Sequence, residues 1–419
     1  MQQFKQNFKP QLIARYLLRW TLIALPIALI TGSLVALFLW LLDAATQYRW
    51  QHPRLLFLLP VAGIAIFMLY KLYGMDAERG NNLIIDEIHQ PGGGVPLRMA
   101  PLVLLTTLIT HLFGGSAGRE GTAVQIGGSI AAGIGKLLKL TEAEIRIVLM
   151  MGISAGFGAV FGTPVAGAIF SLEVLVAGKI KFNALMPCLI AGFLADIVCT
   201  GWGISHTQYH IAFTSGVGFF MHFNSMLLLK AAIAGAAFGL CARLFIFLSH
   251  KVKAAALKYI RIEWLIPVVG GCIIILLTYL LGTSDYLGLG VTSQNPNGMS
   301  IVNAFHKNGV TYWSWLWKLI FTVITLSMGF KGGEVTPLFF IGASLGNAMA
   351  YAMGVPTDMF AGLGFIAVFA AATNTPVACT IMGLELFGGE YGMYYAVACF
   401  IAFYCSGKSA IYTAQRRSS

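Results

Sequence analysis

The 419-residue sequence predicts an all-α integral membrane protein, an inverted-repeat bundle of tilted and broken helices. Three observations predict it: an apolar composition, apolar stretches along the whole chain, and two Gly-rich or Pro-bearing blocks that recur in the same order in each half. Hydrophobic residues make up 58% of the chain and charged residues 10%, and the mean hydropathy is +0.78. Too few polar side chains remain to cover a soluble surface, so the solvent is lipid. About fourteen apolar stretches are expected to form spanning or part-spanning helices. Among them are 20–41, 55–73, 99–114, 146–177, 183–200, 225–249, 263–282, 313–328 and 391–405. The joints between them are short and leave no room for a soluble domain.

Charge reports topology. Lys5, Lys9, Arg15 and Arg19 precede the first apolar stretch and no small-residue cleavage site follows it, which reads as a retained helix with a cytoplasmic N-terminus. Lys136, Lys139, Lys179, Lys181, Lys251, Lys253, Lys258, Arg416 and Arg417 fall at joints that the positive-inside rule assigns mostly to the same side. The formal charge of +11 is spread over these joints and not gathered with aromatics on one polar module, which argues against a nucleic-acid partner. Cys188, Cys199, Cys241, Cys272, Cys379, Cys399 and Cys405 lie in apolar stretches with no CxxC and no His at metal-ligand spacing. They are expected to be reduced packing residues, and neither metal nor cofactor is expected.

The repeat appears as two aligned pairs. Gly162-Thr163-Pro164-Val165-Ala166-Gly167 with Glu173 matches Asn374-Thr375-Pro376-Val377-Ala378-Cys379 with Glu385 at a shift of 212 (376 − 164 and 385 − 173). Gly115-Ser116-Ala117-Gly118-Arg119-Glu120-Gly121-Thr122 matches Gly329-Phe330-Lys331-Gly332-Gly333-Glu334-Val335-Thr336 at 214 (334 − 120). Two halves carrying the same blocks in the same order are the mark of a transporter built from structural repeats, here about 20–200 and 225–412.

Gly and Pro interrupt apolar helices at these blocks, so the freed backbone groups must be buried in protein or line a watered cavity. Helix N-termini exposed there present N–H groups and a positive dipole end, which suits an anion held weakly enough to leave. Glu120 and Glu334 are acids placed where the backbone welcomes negative charge. One reading is ordinary cap or dipole work. The other is a carboxylate that fills the anion position and, once protonated, swings away, which links proton to anion movement. Glu173 and Glu385 read as polar residues near helix ends.

These blocks resemble the CLC chloride channels and proton-coupled exchangers. Gly118-Arg119-Glu120-Gly121-Thr122 is similar to that family's G-R/K-E-G-P segment, whose Glu is the gate. Ser406-Gly407-Lys408-Ser409-Ala410-Ile411-Tyr412 is similar to the stretch that carries its anion-coordinating Tyr; without the resemblance, Tyr412 reads equally as an interfacial aromatic. The resemblance implies a homodimer whose subunits each hold a pathway, with Gly118, Arg119, Gly121, Thr122, Val335, Thr336, Asn81 and Tyr412 around the anion.

The departures are specific. Gly80-Asn81-Asn82-Leu83-Ile84 stands for G-S-G-I-P, Gly333-Glu334-Val335-Thr336-Pro337 for G-x-F-x-P, Thr122 for the gating-block Pro, and Val174 for the exchangers' internal proton-relaying Glu. This set resembles the fluoride/proton antiporter branch. Fluoride is small and strongly hydrated, and the Asn81 amide and Thr336 hydroxyl offer donors in place of one Ser hydroxyl. Glu334 then becomes a proton-carrying partner beside the fluoride route.

A chloride exchanger or channel is the nearer alternative. From another class, G-x-S-x-G occurs at Gly114–Gly118, Gly152–Gly156 and Gly342–Gly346, with His111 near the first, which raises an intramembrane serine hydrolase. Small residues at this spacing are equally what close helix packing in lipid uses. The expectation is a single transport domain over 1–419 with no regulatory domain, not an enzyme. It exports fluoride in exchange for protons across a bacterial inner membrane, with both termini cytoplasmic.

Overall fold

The computed structural model describes residues 10–180, 182–213, 224–407 and 409–417. Lys5, Lys9, Lys181 and Lys408 lie outside the described residues. Sixteen α-helices run through the described residues, eight in each half. The first half contains α1 (Pro10–Gln51), α2 (Leu59–Tyr73), α3 (Asn81–His89), α4 (Met99–Leu112), α5 (Glu120–Leu137), α6 (Glu142–Phe161), α7 (Pro164–Glu173) and α8 (Leu185–Gly201). The second contains α9 (Ser225–Tyr259), α10 (Leu265–Leu281), α11 (Ile301–Ala304), α12 (Ser314–Ser327), α13 (Val335–Met353), α14 (Thr357–Thr373), α15 (Pro376–Phe387) and α16 (Gly392–Ser406). A two-residue parallel pair joins β1 (Val176–Ala177) to β2 (Arg416–Arg417).

Among the described residues, six helical segments are long and apolar enough to cross a membrane, while seven apolar helices of 10–17 residues are shorter. At about 1.5 Å per residue, the 42 residues of α1 reach about 63 Å, twice a hydrocarbon core, so α1 tilts and overhangs. Leu22, Trp40, Ile197 and Leu280 are more than half exposed on the outside of the bundle, as lipid-facing residues are. The interior is apolar too, with Phe339 stacked on Phe365 at 3.9 Å between α13 and α14. Cys188, Cys199, Cys241, Cys379 and Cys399 are buried and Cys405 is half-buried, all as free thiols. Cys272 corrects the packing expectation, since it lies on the exposed side of α10.

The two blocks break helices as the sequence implies. The apolar run 146–177 divides at Gly162, which ends α6 in the left-handed region (φ 70°), and Pro164 opens α7 from its first turn. Asn374 (φ 56°) and Pro376 do the same between α14 and α15. In the other pair of blocks, Gly118 and Gly333 exchange backbone hydrogen bonds of 2.6 and 2.8 Å in an antiparallel bridge. Around it the contacts are reciprocal. The Ser116 N–H donates to Thr325 Oγ1 and the Lys331 N–H to Thr110 Oγ1, and Gly115 and Phe330 donate to the carbonyls of Thr110 and Thr325.

Each of these relations carries a shift of 215 (333 − 118, 325 − 110, 331 − 116), which corrects the 214 that aligns the two acids. Helix starts agree: α5 begins at Glu120 and α13 at Val335. Glu120 is therefore a first-turn residue, whereas Glu334 is the N-cap, whose counterpart is Arg119. Matching two Glu letters displaced the alignment by one residue; the hydrogen-bonded backbone sets the register.

Glu173 and Glu385 do more than the sequence suggested. Glu173, ending α7, accepts from the Val377 and Ala378 N–H groups at the start of α15 (3.1 and 2.7 Å). Glu385, near the end of α15, accepts from Val165 and Ala166 at the start of α7 (3.0 and 2.7 Å). Each short helix caps the other, so α7 and α15 run antiparallel, as an inverted repeat requires.

The glycines of the second and third G-x-S-x-G matches sit at helix crossings. A Cβ on Gly152 would lie 2.4 Å from the Gly127 carbonyl oxygen, and Cβ atoms on Gly342 and Gly364 would each lie 2.0 Å from the other's carbonyl oxygen. Ser154 donates to the Cys188 carbonyl and Ser116 pairs with Thr322, so these hydroxyls are committed to packing contacts. Gly364→Ala is expected to destabilise the protein by about 1–3 kcal/mol through overpacking. Gly92→Ala, which meets open space, is expected to be neutral; thermal unfolding of the two purified variants in detergent makes the comparison.

Candidate functional site

The antiparallel bridge brings the starts of α5 and α13 face to face, and this decides where Glu120 goes. Its carboxylate is buried and crosses to the other half. It accepts from the Thr336 N–H at 3.0 Å, from the Thr336 hydroxyl at 2.6 Å and from the Arg119 N–H at 3.1 Å, with Arg119 Nε 3.6 Å from Oε1. A negative group thus occupies the N-terminal turn of α13, where unpaired N–H groups and the dipole favour an anion. An acid of one repeat thus accepts from the first turn of a helix in the other, a geometry common to both readings of the sequence.

Gly118 leaves room for this: a Cβ there would come within 2.9 Å of Glu120 Oε2 and of the Gly333 carbonyl oxygen. Its N–H is spent on Gly333 and is not free for an anion. Gly121 opens the next space along. A Cβ on Gly121 would lie 3.3 Å from Asn81 Nδ2 and 3.8 Å from Glu334 Oε2, so the Asn81 amide and the half-buried Glu334 flank the same glycine. Asn81 Oδ1 is buried without a hydrogen-bond partner. Val335 is buried at the first position of α13.

Thr122 departs from expectation. It is buried, and its hydroxyl pairs with Thr107 on α4 at 2.8 Å rather than with the Glu120 carboxylate. The replacement of Pro by Thr gives the α5 start a lateral tie to α4. Tyr412 is buried. The chain around it is pinned by Ile411 N–H to the Ala372 carbonyl, Ala414 N–H to Asn82 Oδ1, and Gln415 to Val174, Thr373 and Asn374. Asn82 and Asn374 stand out in the sequence only as members of the motifs quoted above, and Gln415 has no local signal. Val174 is buried and apolar.

A small space of about 20 Å³ borders Glu120, Arg119, Thr336 and Phe339. It shares Arg119, His206, Thr207 and Val291 with a cavity of about 390 Å³. The site therefore has a buried acid seated on backbone and hydroxyl donors, beside a space that shares walls with a larger cavity.

The family model for the voltage gated chloride channel matches residues 61–407. The chain belongs to the CLC family. A chloride/fluoride channel protein of Pseudomonas syringae pv. tomato is 46% identical to this CLC protein over 407 residues, covering 96% of this chain and 87% of the relative. The crystal structure of a CLC-type fluoride/proton antiporter superposes with a TM-score of 0.88 at 34% identity, covering 96% of this chain and 98% of that one. A slow cyanobacterial Cl⁻/H⁺ antiporter shares the fold, with a TM-score of 0.76 at 21% identity over 94% and 96% of the two chains. As in the family, this CLC protein is a multi-pass membrane protein.

Thr336→Val strips the hydroxyl from a buried carboxylate and is expected to cost about 1.5–3 kcal/mol. Thr336→Ser is expected to restore stability; chemical unfolding of the two variants in micelles distinguishes them.

Proposed function

We propose that this CLC protein is a secondary active transporter that exports fluoride in exchange for protons. The observation that carries the reading is the Glu120 carboxylate seated on the N-terminal turn of α13, where an anion would otherwise bind. An anion and this carboxylate compete for one cradle; a protonated Glu120 surrenders it, so loading a proton and admitting an anion become one event. The choice of fluoride is supported by Asn81 and Glu334 flanking Gly121, by Thr336 in the cradle, and by the absence of an acid at Val174. It is further supported by the similarity to the fluoride/proton antiporter. Glu334 acts as the second proton-carrying group, and Arg119, Gly118, Gly121, Val335 and Tyr412 shape the path.

In the full reading, one transport domain is made of the repeats at about 20–200 and 225–412, and each subunit of a homodimer holds its own pathway. It lies in a bacterial inner membrane with both termini cytoplasmic. Arg19 paired with Glu144 at the start of α6, near Lys136 and Lys139 at the end of α5, supports the shared basic face.

The test records fluoride, chloride and proton movement together from proteoliposomes. The native protein is expected to move fluoride faster than chloride with protons in the opposite direction. Glu120→Gln is expected to reduce proton movement at least about tenfold, the scale on which losing a positioned proton carrier acts, and Glu334→Gln to reduce it as well. Fluoride flow without protons in the native protein would mean channel conduction, as the name of the Pseudomonas relative has it; faster chloride would reverse the selectivity.

A further inference from the structure

Arg49 stands near the end of α1 and is buried, yet among the described residues its side chain makes no hydrogen bond or ion pair, and Nε has no partner. A buried cation without a counter-charge is costly, and the cost falls when water or an anion comes to it. Its guanidinium reaches Gly288, where a Cβ would lie 3.2 Å from one of its terminal nitrogens. That loop is fixed from behind: Lys318, fully buried on α12, donates to the carbonyls of Tyr286 and Gly288 at 3.1 and 2.7 Å. Arg49 and Arg119 both line the cavity of about 390 Å³ that shares walls with the Glu120 space. Two acids also line it. Asp285 is occupied by Ser293 Oγ and the Met299 N–H, and Asp43 is exposed.

The cavity has a definite side. Arg19, early in α1, pairs with Glu144 at the start of α6, and Arg146 in that helix shares a different cavity with His89 and Arg416. Arg416 follows the segment in which the Ala414 N–H donates to Asn82 Oδ1. Arg49 is 30 residues further along α1, about 45 Å at about 1.5 Å per residue, and so lies toward the opposite face.

We propose that Arg49, together with Arg119, holds a small inorganic anion in this vestibule, on the other side of the Glu120 carboxylate from Asn81 and Glu334. The vestibule receives the anion when it leaves the α13 cradle and concentrates anions arriving from that face. Charge alone does the holding, so fluoride and chloride both bind there; selection belongs to the deeper site. This rests on the proposed function only in expecting a small anion on the route.

The test reads the vestibule without reading transport. Thr292 lines the cavity and is exposed, so Thr292→Cys offers a thiol for methanethiosulfonate reagents, with the native protein as the blank for its own cysteines. Because a focused field raises local ion concentration about tenfold or more, the anionic sulfonatoethyl reagent is expected to label Thr292→Cys about tenfold more slowly once Arg49→Gln is added. The cationic trimethylammonium reagent is expected to label it faster. Arg49→Lys should keep the original order. Replacing gluconate by fluoride or chloride at constant ionic strength should slow the anionic reagent only while Arg49 is present. Equal labelling with and without Arg49, or protection that does not need it, overturns the proposal. Should Arg49→Gln fail to fold, Asp43→Asn at the mouth gives the opposite sign: faster anionic labelling supports the vestibule, and an unchanged rate overturns it. Failure of fluoride–proton exchange would leave these labelling results standing, and the reverse holds too.

Discussion

Two glycines exchanging hydrogen bonds, Gly118 and Gly333, are the constraint on which the rest of the molecule depends. With no side chain on either, the two broken segments approach closely enough to be bonded backbone to backbone. That contact fixes α5 and α13 with their N-termini opposed. From it follow the reach of Glu120 across to Thr336, the flanking of Gly121 by Asn81 and Glu334, and the space toward the vestibule. The site is a junction of helix starts and has no continuous helix through it, which is what lets it be polar inside an apolar bundle.

The same logic governs polarity elsewhere. α7 and α15 expose N–H groups at their starts in the interior, and the carboxylates of Glu385 and Glu173 satisfy them. Four acids therefore sit at or near helix N-termini, with different freedom. Glu173 and Glu385 each take two backbone donors of a regular first turn. Glu120 draws its donors from a side-chain hydroxyl and from backbone N–H groups of two separate chain segments.

Much of this was legible in the sequence because helix breaks need particular residues. Gly162-Thr163-Pro164 and Asn374-Thr375-Pro376 mark left-handed caps followed by first-turn prolines, and both halves show them. What stayed hidden depended on pairing across distance. The register of the two Gly-rich blocks is set by backbone bonds, so aligning Glu120 with Glu334 gave a shift one residue short. The reciprocal caps join residues about two hundred positions apart, and no local pattern announces them. Thr122 looked like part of the anion path because it replaces a gating-block residue, yet its hydroxyl is drawn sideways to Thr107. Arg49 carries no motif of its own, and only burial without a partner sets it apart. Asn82 and Gln415 acquire meaning only when the chain's final segment returns beneath α3.

The reciprocal caps also bear on how the protein is made. The N–H groups of Val165 and Ala166 are satisfied by a residue 220 and 219 positions later in the chain. At a synthesis rate of about 5–20 residues per second, Glu385 emerges roughly 10–40 s after α7 has entered the bilayer. Throughout that interval the newborn first half carries an uncapped helix end in an apolar setting, with water, lipid headgroups or the insertion machinery as its only partners. Its completion waits for the second half.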